Sequence, residues 1–352
     1  MILFGKKDKL QIITFKTYGT ATHLYVRGRA LEDENIDLSQ KGFFQLLWNT
    51  WKRFETDEIK YNPLTIQLPN ATTVSAKTNG DGYYRIDEAA SDLSSMTDSE
   101  GWLEYTISYS GSALGREISN ENRFSGEMLI PAQTADFGVI SDIDDTILHT
   151  GVVSSLKWRV VLNTVFTRAV TRKPLEGMAE FYHRLHGGKS GNRANPIFYV
   201  SHSPWNLYRY LEVFLGANNF PKGPVILRSM ASFSAHFSKS QIPEKQKEII
   251  NILKTYPTLK FILIGDSGER DADIYMEVAR ANPNRILTIY LRSVQHKRRM
   301  HRVRRLLERF KGTPVILVTK TEDALAHARQ KGFIAKKLGQ EGSSVSKFPD
   351  KG

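Results

Sequence analysis

The chain has 352 residues, enough for about two domains at roughly 150 residues each. Its 49 Lys and Arg against 37 Asp and Glu leave a net charge of +12 at pH 7, which favours acidic partners such as nucleic acid, anionic lipid headgroups or phosphorylated metabolites. It contains no cysteine, so disulfide staples and thiolate metal sites are excluded.

The opening MILFGKKDKL has too few apolar residues before its lysines for a signal-peptide core. No apolar run approaches the ~18 residues a membrane span needs. The expected location is cytoplasmic, and at most peripheral to a membrane.

Residues 10 to 130 read mainly as strands. LQIITFKTYG, THLYVRGRAL, TIQLPNATTVSAKTNGDGYYRIDE, GWLEYTISYS and FSGEMLIP are rich in β-branched and aromatic residues, with turn formers between them. Asn79-Gly80-Asp81-Gly82 is a strong turn signal, because these residue types tolerate positive φ. About seven strands of this kind suit a β-sandwich. One segment departs from the pattern: KGFFQLLWNTWKRF places Phe44, Leu47, Trp48 and Trp51 at helical spacing. Two readings fit it, a helix capping the sandwich and an amphipathic helix for a bilayer interface.

From about residue 137 the texture changes. FGVISDI, PIFYVS, PVILRS, KFILIGD, RILTIYL and TPVILV are short continuous apolar runs, as expected of parallel strands buried on both faces. Helix-like segments such as PWNLYRYLEVFLGAN and PEKQKEIINILKTY lie between them, so an α/β domain with a parallel sheet is expected. The boundary falls near PAQTAD. The expected division is a β-sandwich-like domain over 1–133, an α/β domain over 134–338 and a disordered tail over 339–352.

In an open parallel sheet, ligands bind beyond the carboxyl ends of the strands. The first such end delivers Asp142, Asp144 and Thr146, the second Ser201, and FILIGDSGERD delivers Asp266 and Asp271. Clustered aspartates repel one another, and a hard divalent cation removes that cost. Mg²⁺ fits, since it commonly uses few carboxylates together with substrate phosphate. With the charge neutralised, one Asp can act as nucleophile. A second, two residues along an extended strand, points to the same side and can exchange protons with the leaving oxygen and with water. Serine and lysine would hold phosphoryl oxygens. A calcium loop would need Gly at the sixth position from Asp142 and Glu at the twelfth, where Ile147 and Val153 stand. No GxxxxGK[ST] phosphate loop occurs in the sequence. The plainer reading, aspartates that merely cap helices, accounts for DIDDT alone but not for a second acidic strand end in GDSGERD.

DIDDT resembles the DxDxT signature of the haloacid dehalogenase (HAD) superfamily of phosphohydrolases; IFYVS resembles its second motif, and GDSGERD its fourth. VISDIDDTI, FYVSHSPWNLY, FILIGDSGERD and ILTIYLRSV look closer still to the App1-type phosphatidate phosphatase catalytic domain. The resemblance implies a Rossmann-like HAD domain preceded by the β-sandwich, and a Mg²⁺-dependent phosphatase working through an aspartyl-phosphate. By that resemblance Asp142 is nucleophile and metal ligand. Asp144 is general acid and base and lends its carbonyl to the metal. Thr146 supports the loop, Ser201 binds the phosphoryl group, Asp266 completes the metal site and Asp271 supports it. A His-Lys pair of the family aligns with Glu244-Lys245 here, the histidine being absent; Lys245 is the expected phosphate-binding lysine and Lys247 the reserve.

Phosphatidate is the substrate the resemblance implies. The alternatives are a soluble phosphometabolite or phosphoprotein, and a lipid-binding protein whose enzyme half is vestigial. Two basic stretches bear on this choice. SSLKWRVVLNTVFTRAVTRKP mixes Trp158, Val160, Val161, Leu162, Val165 and Phe166 with Lys157, Arg159, Arg168, Arg172 and Lys173. RSVQHKRRMHRVRRLLERFKG spaces Met300, Val303, Leu306, Leu307 and Phe310 at helical intervals. Each fits contact with an anionic membrane and equally an ordinary amphipathic helix. Nucleic acid is disfavoured as a partner, since no recognised fold for binding it is legible.

Overall fold

Alternation of apolar and polar residues sorts the first part of the chain into strands. The computed structural model describes residues 9–33, 58–111, 115–143, 177–228, 242–267, 270–293 and 297–336. The aromatic segment at 41–54, the basic stretch at 154–174 and the tail at 339–352 lie outside these residues.

Strands β1 (Lys9–Phe15), β3 (His23–Asp33) and β6 (Tyr83–Ala89) form an antiparallel sheet in the order β1-β3-β6. Ile12 stands opposite Ala30, and Val26 opposite Ile86. A second sheet has the order β2-β8-β7-β4-β5, from β2 (Thr17–Tyr18), β4 (Pro63–Gln67), β5 (Thr73–Lys77), β7 (Trp102–Tyr109) and β8 (Phe124–Leu129). Period-two side chains give each sheet one apolar face. Leu10, Leu24, Val26 and Ile86 of the first sheet share a core with Leu64, Ile66, Leu103 and Ile107 of the second. The N-terminal part is β-rich as expected, with eight strands among the described residues where about seven were expected. The Asn79–Gly82 segment does turn: Asn79 Oδ1 accepts the Asp81 N–H at 2.9 Å, and Gly82 sits at φ +74. It carries the chain from β5 to β6, and so from one sheet to the other.

The continuous apolar runs form a six-stranded parallel sheet: β9 (Gly138–Asp142), β10 (Ile197–Pro204), β11 (Val225–Arg228), β12 (Phe261–Asp266), β13 (Ile286–Arg292) and β14 (Val315–Val318). Every residue of β9 and β12 is buried. A fully buried Ile or Leu contributes roughly 1.5–3 kcal/mol, which is why these strands hold the centre. The order β11-β10-β9-β12-β13-β14 is that of a doubly wound sheet. The chain runs outward from β9 in one direction, then returns to β12 on the other side of β9, making a switch point between them.

Helices α1 (Met178–Gly187), α2 (Tyr208–Ala217), α3 (Glu244–Thr255), α4 (Asp271–Ala281), α5 (Lys297–Arg309) and α6 (Thr321–Gln330) complete the layers. Phe181 and Tyr182 of α1, Leu211 of α2 and Leu325 of α6 pack with Val139, Ile262 and Ile264 on one face. Ile249 and Ile252 of α3, Tyr275 of α4 and Val303 of α5 pack with Ile140 and Leu263 on the other.

The sandwich is joined to this sheet by aromatic residues. The Phe15 ring stacks on Trp205, centroids 4.6 Å apart, and lies 4.5 Å from the Tyr208 ring. Tyr18 meets Phe198 edge-on at 5.5 Å, and the Tyr256 hydroxyl donates to the Gly19 carbonyl at 2.8 Å. The two parts therefore share buried surface.

Candidate active site

Asp142 ends β9 and is fully buried. A carboxylate taken out of water needs a compensating charge. That charge is Lys245, in the first turn of α3, which is 2 % exposed. Its Nζ donates to Asp142 Oδ1 at 2.6 Å and to Asp271 Oδ1 at 2.5 Å. Asp271, the first residue of α4, is also buried. Burial opposes the charge on Lys245, but the two carboxylates outweigh it and hold its pKa well above the usual lysine value. Burial pushes the Asp271 carboxyl up to about 7, against the opposing pull of Lys245.

Asp271 also ties the site to the next strand. Its Oδ2 accepts the N–H of Asp266, the last residue of β12, at 3.2 Å. The approach is close enough to require the glycine of the GD pair: a Cβ on Gly265 would stand 2.6 Å from Asp271 Oδ2 and 2.7 Å from the Tyr275 ring. Tyr275 in turn donates its hydroxyl to the Ile264 carbonyl at 3.0 Å.

Register places the remaining strand ends. Asp142 stands beside Val200 of β10, so Ser201 is one residue further along. Ser141 stands beside Ile264 of β12, so Asp142 falls level with Gly265 and Asp266 lies one residue beyond. Ser201 is buried, and its Oγ accepts the Ser203 N–H at 2.9 Å.

Of the expected residues, Asp142, Lys245 and Asp271 are in direct contact, Asp266 is bonded to Asp271 through its backbone, and Ser201 occupies the adjacent strand end. Asp144 and Thr146 lie outside the described residues. The two lysines differ in environment: Lys245 is buried, whereas the Lys247 side chain is 41 % exposed and pairs with Glu244 at 3.3 Å. Sequence reasoning missed the support behind β9. Ser141 Oγ donates to the Asp142 carbonyl at 2.9 Å and lies 2.6 Å from the Tyr182 hydroxyl. Ser141 has one proton to give, so Tyr182 is the donor to it. A serine inside an apolar strand was the only signal.

Among the described residues, no group of three or more His, Asp or Glu side chains converges as a metal cluster. Asp142 and Asp266 nevertheless end the two strands that flank the switch point. Both are oxygen donors, the chemistry a hard cation such as Mg²⁺ requires.

The family described as "Phosphatidate phosphatase APP1, catalytic domain" matches residues 137–293, a span that contains every described residue of the site. The Saccharomyces cerevisiae protein "Phosphatidate phosphatase APP1" is 40% identical over 156 residues, covering 44% of this chain and 25% of that protein. An uncharacterized protein of Schizosaccharomyces pombe is 26% identical over 221 residues, covering 62% of this chain and 34% of that protein. The chain thus spans about a quarter to a third of the length of these curated relatives. A solved structure of Bacteroides thetaiotamicron EndoBT-3987 with Man5GlcNAc product overlaps 80% of this chain and 71% of its own at 9% identity, but with a TM-score of 0.20 it carries no argument. Residues 137–293 of this chain are thus similar to the App1-type phosphatidate phosphatase catalytic domain.

Proposed function

We propose that this protein is a Mg²⁺-dependent HAD-type phosphatase that hydrolyses a phosphomonoester through an aspartyl-phosphate, with phosphatidate as substrate and diacylglycerol and phosphate as products. The observation that carries this reading is the buried Lys245 bridging Asp142 and Asp271 at the carboxyl edge of a parallel sheet. The family match supports the substrate. The strand order supports a Rossmann-like HAD domain, over 134–338 with the sandwich over 1–133 and a tail over 339–352.

Asp142 and Asp266 would hold the cation, with the Asp144 carbonyl as a further ligand. Bound there, Mg²⁺ supplies charge neutralisation for the incoming phosphate dianion. An Asp142 carboxylate oxygen attacks phosphorus and the bond to the glycerol oxygen breaks. Asp144 gives its proton to that oxygen, so diacylglycerol leaves neutral. Asp144, now a base, takes a proton from water as the water oxygen attacks the aspartyl-phosphate, returning Asp142 and releasing phosphate. Ser201 and Lys245 hold the phosphoryl oxygens. Lys245 also orients the Asp142 carboxylate through its 2.6 Å hydrogen bond to Oδ1. Thr146 supports the loop that carries Asp144, and Asp271 positions Lys245.

The test is phosphate release, with and without Mg²⁺, from phosphatidate in mixed micelles and from a panel of soluble phosphoesters. Phosphatidate is expected to be turned over with the highest kcat/KM. Turnover confined to soluble esters would leave the chemistry and remove the lipid; binding of phosphatidate without any turnover would remove the enzyme.

A further inference from the structure

Helix α5 has the sequence KRRMHRVRRLLER, seven Lys and Arg against the single Glu308. This one helix carries half of the chain's excess of twelve positive charges. Its apolar side is used: Val303 is buried in the core, with Leu306, Leu307 and Phe310 packed beside it. His301, Arg302, Arg304, Arg305, Glu308 and Arg309 are exposed, and at 100° per residue they fall on one continuous arc. Arg302 pairs with Asp273 at 2.5 Å. Among the described residues, no carboxylate lies within ion-pair distance of Arg304, Arg305 or Arg309. An ordinary solvent-facing helix tends to intersperse charges of both signs; this face is almost wholly cationic.

Its position gives the charge a use. The helix follows β13, which pairs with β12, so α5 begins at the same edge of the sheet where Asp142 and Asp266 end their strands. Met300 in its first turn accepts hydrogen bonds on Sδ from Ser267 Oγ at 3.3 Å and Ser293 Oγ at 3.5 Å. Ser267 directly follows Asp266. The cationic strip therefore starts beside the candidate site and runs about 20 Å along the domain.

We infer that the outward face of α5 is a docking surface for an anionic phospholipid bilayer, holding the catalytic edge of the sheet close to the headgroups. This rests on the phosphatidate reading, since a substrate confined to a membrane is reached only by an enzyme brought to that membrane. The attraction is electrostatic, because the apolar side of the helix is already spent on the core. Basic residues near such a surface add attraction roughly one by one, and salt screens it.

The experiment uses the full chain and the triple exchange Arg304→Gln, Arg305→Gln, Arg309→Gln. Cosedimentation is measured with phosphatidylcholine vesicles containing phosphatidylserine, and with phosphatidylcholine alone. The wild type is expected to bind only the anionic vesicles, less so as salt rises, and the triple variant to bind about a hundredfold more weakly. The matching triple Lys variant is expected to keep binding, since charge rather than fork geometry does the work. Turnover of phosphatidate in vesicles should fall with binding, while turnover of a soluble phosphoester stays at the wild-type level and reports an intact fold. Phosphatidylserine is not a substrate here, so binding without phosphatidate hydrolysis would sink the proposed activity and leave the docking surface standing. Unchanged vesicle binding by the triple Gln variant overturns the inference. So does a variant that loses retention of a nucleic-acid duplex while binding vesicles as before.

Discussion

Lys245 and Asp271 are the first residues of neighbouring helices to reach the sheet, and they meet 2.5 Å apart beneath the end of β9. The ammonium is thereby shared between Asp271 and Asp142, both buried. One buried ammonium thus serves two buried acidic side chains and ties the end of β9 to the start of α4.

Removing that lysine leaves the carboxylates uncompensated. Lys245→Met is expected to cost about 3–5 kcal/mol of stability and to abolish turnover, whereas Lys247→Met stays within about 0.5 kcal/mol of wild type. Urea denaturation in EDTA measures both. The deficit of the Lys245 variant should depend on pH. The folded Asp271 pKa is raised by burial to about 7 from an ordinary 3.8, so the native state binds more protons than the unfolded state between those values. Stability then falls as pH rises. Without the lysine the upper limit moves higher, and the deficit is smaller at pH 5 than at pH 8. A pH-independent deficit would contradict the ion-pair account.

Asp142→Asn keeps the shape of the side chain and an oxygen for Lys245 but removes the nucleophile. Turnover is expected to fall on the order of a thousandfold or more, with the thermal unfolding midpoint within a few degrees of wild type. Hydrolysis at the original rate would eliminate Asp142 as the attacking group.

Gly265→Ala introduces a methyl 2.6 Å from Asp271 Oδ2. Asp271 must move, and Lys245 with it. A loss of about 1–3 kcal/mol and a lower kcat are expected, although residue 265 itself carries no reactive group. Wild-type kcat in this variant would show that the Asp271–Lys245 geometry is not needed.

Chelation with EDTA should stop turnover, and Mg²⁺ should restore it. Asp266→Asn is expected to raise the Mg²⁺ concentration for half-maximal rate by at least tenfold, in line with roughly 1.4 kcal/mol of lost binding. Full activity in EDTA would exclude the cation.

Phe15→Ala tests whether the sandwich and the parallel sheet stabilise one another. The ring stacks on Trp205 and meets Tyr208 at a tilt, and both residues follow the strand bearing Ser201. A cost of about 3–5 kcal/mol is expected. A negligible change in the unfolding transition would mean that the aromatic contact holds nothing together.

The strand ends were legible because they are local patterns. The run VISD of β9 and the run ILIGD of β12 each pass from buried aliphatic residues to aspartate within one short strand, and that transition is visible in any window of the sequence. Alternation over β4 and the Asn79–Gly82 turn were legible for the same reason. The resemblance of 137–293 to a known family added roles to residues that spacing alone could only cluster.

Other features depended on contacts between distant segments. Lys245 and Lys247 stand two positions apart on one helix, about 200° around its axis, and both look alike in sequence. Only the packing of α3 against β10 and α4 turns one inward to Asp142 and the other to solvent. Tyr182, 41 residues from Ser141, carried no local mark of its part in supporting Asp142. The sequence by itself determined which short runs are buried strands and that carboxylates terminate two of them. The return of the chain from β11 to β12 across β9, which makes those two strands neighbours, was decided by the tertiary structure. Strand order is a property of side-chain packing on both faces of the sheet, and no single stretch of the chain contains it.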